Sequence, residues 1–166
     1  MKVLLAIDGS RHSEAALEEV ASRHWAADTE IEVLTVIHSK WPLVGDVFFT
    51  AAAAHAESVR EQKHDAPALL RRAVERLHDR RPPLQVATKI VEGLPHEAIV
   101  EEAKAWGADL IVLGSHGYGP IKRALLGSVA AAVAVEAPCA VEIIRTGRPG
   151  VTLGPRAVEP VSVHSE

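Results

Sequence analysis

Five short runs, Lys2 to Ile7, Ile31 to Ile37, Leu84 to Ile90, Asp109 to Leu113 and Cys139 to Arg145, are separated from one another by segments of helical spacing or composition. Most of these runs are apolar at successive positions, and Leu84 to Ile90 alternates. A strand apolar at successive positions is buried on both faces, as in a parallel sheet, whose crossovers lay helices over it. The alternation of strands and helices therefore predicts an α/β fold, a single open five-stranded parallel sheet with right-handed crossovers and helices on both faces. Ligands of such sheets sit outside the carboxyl ends of the strands, where the strand order changes direction. The loops at 8–10, from 38 onward and from 114 onward are the places to look for a site.

Between the strands, Ala16, Leu17, Val20, Ala21 and Trp25 recur at helical spacing from Ser13 to Ala27, with Ser10 or Ser13 as the N-cap. Residues 38–50 hold Pro42 and Gly45 and read as the longest internal loop. From Ala51 to Asp79 the chain is Ala-rich and charged, one or two helices that Pro67 should kink or divide. Gly93-Leu94-Pro95 opens a helix to Trp106, and Gly107 ends it as a C′ residue. Gly127 to Glu136 is the last helix. The expected organisation is one domain over 1–146 and a Gly- and Pro-containing tail over 147–166, flexible or exchanged between subunits.

A net charge of −4 over 166 residues gives no field to attract nucleic acid phosphates or an anionic membrane, so neither is an expected partner. No apolar stretch approaches the roughly 20 residues needed to span a bilayer. The single Cys139 cannot form an internal disulfide, and no charged leader with an apolar run precedes the first strand. The expected location is the cytoplasm.

The most informative loop follows the fourth strand. Gly114-Ser115-His116-Gly117 offers main-chain N–H groups with no Cβ in the way, and Gly127-Ser128 opens the next helix, whose unpaired amides and dipole favour an anion. The spacing is that of neither the Walker A loop nor the dinucleotide fingerprint, and it fits G-x2-G-x9-G-[ST]. Nine histidines raise the question of a metal, but His96-Glu97 has no second His at the zinc-protease spacing. His116, between two loop glycines, is placed either to meet a phosphate or to face water. Cys139 reads as a small core residue rather than a nucleophile.

With AIDGS at 6–10, GADLIVLGSHG at 107–117, LLGSVA at 125–130 and APC at 137–139, the chain resembles the ATP-binding branch of the universal stress protein family from Lys2 to about Arg145. The resemblance implies a Rossmann-like fold of the adenine nucleotide alpha hydrolase type. It implies adenine nucleotide as the ligand, ATP with Mg2+ or else ADP or AMP, with at most slow hydrolysis. Gly114, Gly117, Gly127 and Ser128 match the triphosphate and ribose contacts, with His116 inside the loop and Val129 next to it. Asp8, after Ala6 and Ile7, matches the acidic residue near the nucleotide, or else it only shapes the Asp-Gly-Ser turn. Val36 and Ile37 match the strand end whose main chain meets adenine. The resemblance also implies a homodimer through the last strand, Cys139 to Arg145, where Glu142 would face its own mate unless Arg145 or another base satisfies it. Gly127→Val is expected to block binding with little loss of fold. The alternatives are a nucleotide-free dimeric interaction protein and an adenylating or phosphotransfer enzyme.

Overall fold

The computed structural model describes residues 1–39, 48–80, 84–117 and 126–146. Their nine elements run in the order β1 (Lys2–Ala6), α1 (Arg11–Ser22), β2 (Glu30–His38), α2 (Phe48–Arg80), β3 (Gln85–Gly93), α3 (Pro95–Trp106), β4 (Leu110–Gly114), α4 (Ser128–Glu136) and β5 (Ala140–Ile144). The five strands form one sheet in the order β3-β2-β1-β4-β5, and every neighbouring pair is parallel. The expected fold class is the observed one. After β1 the strands progress to one side, and from β4 they progress to the other. The switch point lies between β1 and β4.

Period-two alternation along β1 explains why both faces need a cover. Val3, Leu5 and Ile7 pack with Leu17 and Val20 of α1 and Leu69, Leu70 and Leu77 of α2. Leu4 and Ala6 point the other way, into a core with Leu34, Ile99, Val100 and Ala103 of α3, and Ala130 and Val133 of α4. The helices before the switch point thus share one face and those after it share the other.

Several boundaries differ from the sequence reading. α1 stops at Ser22, and Trp25 folds back to donate its indole N–H to the Val20 carbonyl at 2.8 Å. Ser10 is the N-cap, its hydroxyl accepting from the Ser13 N–H. α2 begins at Phe48, inside the segment read as a loop, and continues through Pro67 undivided. Ala66 and Leu69, Leu70, Ala73 and Leu77 beyond it are buried on the core side. Burying one leucine side chain is worth about 1.5–3 kcal/mol, so together they outweigh the roughly 3 kcal/mol cost of a helical proline. β3 extends to Gly93 rather than stopping at Ile90, because β2 continues to His38 and pairs with it throughout. Gly107 ends α3 in the left-handed conformation, φ 72°, as expected of a C′ glycine.

Two charged groups inside the fold are informative. Glu142 is not paired with Arg145. Its carboxylate receives two hydrogen bonds from Arg23, at 2.7 and 2.5 Å, while Arg23 also reaches Glu19 and lies over the Trp25 ring. That guanidinium holds the Glu142 carboxyl below its ordinary range. Glu32 sits on the α3 face of β2, 7% exposed, beside Glu102, which pairs with Lys89 at 2.6 Å. Burial, then Glu102, pushes the Glu32 carboxyl above the ordinary glutamate range, against the smaller pull of Lys89 and Lys2.

A carboxyl whose proton is held more tightly in the folded state contributes stability at low pH that is lost as pH rises through its folded-state value. Glu32→Gln should therefore gain stability relative to the unsubstituted protein as pH rises from about 4.5 to 8. Urea unfolding midpoints for the two proteins across that range check the sign.

Candidate functional site

The site is built where two turns meet at the carboxyl end of the sheet. Ile7 donates its N–H to the Leu34 carbonyl at 2.9 Å, and the chain then leaves the sheet through Asp8-Gly9-Ser10, with Gly9 at φ 81°. Asp8 Oδ1 accepts the Ser10 N–H at 2.9 Å, an Asx turn that fixes the carboxylate at the rim. The Asp8 N–H donates to Ser13 Oγ at 3.3 Å, and Thr35 Oγ1 donates to the Ile7 carbonyl at 2.7 Å. Both readings of Asp8 are thus compatible, since one oxygen shapes the turn and the side chain as a whole is exposed.

The second turn leaves β4 at Gly114. Ser115 donates its N–H to the Ile144 carbonyl at 2.8 Å, and the Ser10 hydroxyl donates to the His116 carbonyl at 3.3 Å. When the chain returns at Gly127, that residue's N–H donates to the Ser115 carbonyl at 2.7 Å. Gly127 is the N-cap of α4 and makes no side-chain cap bond. The first intrahelical bond after it runs from the Ala131 N–H, so the Ser128 and Val129 amides stand at an open helix end.

The glycines matter here for a reason that the sequence did not give. A Cβ on Gly114 would lie 2.6 Å from the carbonyl carbon of His12, and one on Gly117 would lie 2.6 Å from Asp8 Oδ2. On Gly127 it would lie 2.9 Å from the Ser115 carbonyl oxygen. The space spared by the missing side chains is used by the protein to close its own turns together.

Between these turns and the facing helices lies a cleft of about 930 Å³. Ala6, Ile7, Asp8, Val36, Ile37, Gly114, His116, Gly117, Gly127, Ser128 and Val129 all border it. These eleven candidate ligand positions are therefore brought to one place. Trp41, Tyr118-Gly119-Pro120, Lys122, Arg123 and the tail over 147–166 lie outside the described residues.

Sequence reasoning missed the second wall. Ser58, Gln62, Asp65, Leu69 and Arg72 of α2 line it, with Leu94, Pro95 and His96 at the start of α3. Gln62 Oε1 accepts the His38 N–H at 3.0 Å and its amide donates to the Ser58 carbonyl, so α2 is tied to the tip of β2. The positions recur every three or four residues, the signal of one helix face, but a polar stripe reads equally as a solvated surface. Also missed was His12, whose ring lies 5.2 Å from that of His116. Cys139 is half-buried and burial pushes its thiol up, which fits a packed residue. Among the described residues no group of three His, Cys, Asp or Glu gathers as a metal site, and no helix is long and apolar enough to cross a membrane.

The chain is similar to known proteins in sequence and in fold. The sequence model of the universal stress protein family matches residues 1–145. A universal stress protein of Thermus aquaticus is 32% identical over 146 residues, covering 86% of this chain and 97% of that one. The solved structure of MJ0577, a universal stress protein of Methanocaldococcus jannaschii, superposes with a TM-score of 0.72 at 28% identity, covering 88% and 96% of the two chains. A universal stress protein solved in complex with cAMP superposes with a TM-score of 0.61 at 26% identity, covering 87% and 95%.

The contacts of Gly127 revise the expectation for its replacement. Gly127→Val should destabilise the fold by about 1–3 kcal/mol, because main chain must move to admit the side chain. Ser128→Asp, at an exposed first-turn position where a negative charge suits the helix dipole, should leave stability unchanged or slightly raised. Thermal unfolding of both variants checks the contrast.

Proposed function

The chain belongs to the universal stress protein family, and on that premise we propose that it is an adenine nucleotide-binding regulatory module, holding ATP with Mg2+, or ADP or AMP, with at most slow hydrolysis. The observation that carries this reading is the convergence of residues from three distant segments, Asp8, Val36 and Ile37, and the described ends of the glycine loop at Gly114, His116, Gly117 and Gly127 to Val129, on one cleft beside the switch point of the sheet. Occupancy of the cAMP-bound relative by an adenine nucleotide supports the same class of ligand.

The residues present suit such a ligand. Pairing of β2 with β1 stops at Leu34, and β2 runs on along the cleft to His38, so the main chain near Val36 borders the space a base would fill. At the other end, the Ser128 and Val129 amides and the α4 dipole suit phosphate oxygens. Asp8 is the carboxylate at the glycine loop. A magnesium ion there would take one carboxylate and draw its other ligands from phosphate and water, its usual manner with nucleotides.

The homodimer through β5 is part of the proposal. β5 is an edge of the sheet, and the two bonds from Arg23 neutralise Glu142 within its own chain, removing the like-charge conflict that two facing carboxylates would create. The cytoplasm remains the proposed location.

Two measurements test these statements. Denaturing freshly purified protein should release adenine nucleotide, or the emptied protein should bind ATP saturably. Ser128→Asp should weaken that binding at least about tenfold through repulsion of the phosphates. A folded protein with neither bound nucleotide nor a titration would sink the nucleotide reading in favour of the dimeric interaction protein. For the dimer, Arg23→Ala should shift the equilibrium toward monomer in sedimentation, since it unmasks Glu142 at the proposed strand junction.

A further inference from the structure

The edge of β2 that faces β1 offers a ligand a short row of main-chain groups, and α2 takes one of them away. In a parallel ladder the N–H and carbonyl of one residue point to the same edge, and those of the next residue point to the other. Leu34 faces β1, since its carbonyl accepts the Ile7 N–H at 2.9 Å. Val36 and His38 therefore present their N–H and carbonyl groups to that same edge. Pairing with β1 ends at Leu34, so those groups border the cleft with no strand beside them. Along the edge the order is Val36 N–H, Val36 carbonyl, His38 N–H.

Gln62 of α2 holds the third group. Its Oε1 accepts the His38 N–H at 3.0 Å, and its Nε2 donates to the Ser58 carbonyl and to Ser58 Oγ, each at 3.2 Å. The orientation of this carboxamide is fixed, because turning it over would set its N–H groups against the His38 N–H and its oxygen against the Ser58 carbonyl. Ser58, Gln62 and His38 all border the cleft. The row that remains is one donor and one acceptor, both of Val36, closed at the His38 end by a side chain already bonded there.

A flat base read by that pair is constrained by its own edge. Adenine carries an acceptor at N1 beside a donor at N6, which match the Val36 N–H and carbonyl in order. Guanine carries O6 as an acceptor, followed by two donors, N1–H and the 2-amino group. With O6 on the Val36 N–H and N1–H on the Val36 carbonyl, the 2-amino group is carried into the Gln62 carboxamide at His38. With the base turned over, O6 requires the His38 N–H, which Gln62 occupies. A hydrogen-bonding group left without a match costs more than a made bond gains, which is how such sites reject a wrong ligand.

Building on the nucleotide reading, we infer that Gln62 makes the cleft select adenine over guanine nucleotides, by occupying the His38 N–H and leaving the Val36 pair to read the base. Gln62 is a positioning residue. It acts through the His38 main chain and through the space it fills, not through a bond of its own to the ligand.

Calorimetric titration of the emptied full chain with ATP, ITP and GTP tests this, read as ratios of dissociation constants so that a general loss of affinity cancels. In the unsubstituted protein GTP should bind at least about tenfold more weakly than ATP, and ITP, which lacks the 2-amino group, should bind more tightly than GTP. Gln62→Ala frees the His38 N–H and the space beside it, and alanine suits the helix. Its ratio of GTP to ATP dissociation constants should fall about tenfold. Ser58→Ala keeps the carbonyl that orients Gln62 and should keep the ratio.

If the unsubstituted protein binds GTP as tightly as ATP, or rejects ITP as strongly as GTP, the inference is overturned without any variant. It is equally overturned if Gln62→Ala, folded by circular dichroism, keeps the full ratio. A loss of the ratio in Ser58→Ala equal to that in Gln62→Ala assigns selection to the shape of the α2 wall and rejects the role of Gln62. In each of these cases saturable ATP binding leaves the nucleotide reading standing. Failure of the folded, unsubstituted protein to bind any of the three removes that reading and this inference with it.

Discussion

A Cβ at Gly114 would stand 2.6 Å from the main chain of His12, and one at Gly117 would stand 2.6 Å from the Asp8 carboxylate. These two absences let the β1–α1 turn and the glycine loop lie against each other, and the rest of the site follows from that approach. The Ser10 hydroxyl can reach the His116 carbonyl, and the returning chain can close on Ser115 through Gly127. The amino terminus of α4 is thereby aimed into the same cleft as the end of β1. The hydrogen bonds involved are individually worth about 1 kcal/mol, so their geometry depends on steric permission more than on their strength.

The sheet supplies the frame that makes this approach reproducible. Adjacent parallel strands fix β1 and β4 side by side in register, Ala6 opposite Leu113, so their exits are neighbours whatever the intervening sequence does. Because the crossovers before and after the switch point lie on opposite faces, α1 and α4 leave from adjacent strand ends in opposite directions. A cleft between them is a consequence of topology. Its polar lining comes from the loops, and its far wall comes from α2, pinned to β2 through Gln62 and the His38 N–H.

Charge inside the molecule is handled in two ways. At β5, Glu142 meets a bidentate guanidinium and stays ionised. At β2, Glu32 meets a second carboxylate under a helix and is pushed toward its neutral form. Both are glutamates in strands where an apolar residue would pack more simply. What separates them is whether a neighbouring helix happens to present an arginine or a glutamate, which spacing along the chain does not reveal.

The sequence by itself determined the strands, the parallel order of helix and strand, and the identity of the glycine loop, because each is a local pattern. Apolar run, helical period and glycine spacing are all written over a few residues. It also marked Asp8 and His116 as belonging to loops at one end of the sheet, and Val36 as lying at the end of the second strand. Only the tertiary structure decided that α2 passes through Pro67 unbroken, since that outcome depends on burial against strands distant in sequence. The same holds for the partner of Glu142, a residue 119 positions away, and for the contact of His12 with His116. It also showed that the glycines serve contacts of the chain with itself. Local propensity carries no information about which surfaces meet, and a glycine's missing atom acquires meaning only when a second segment arrives to use the space.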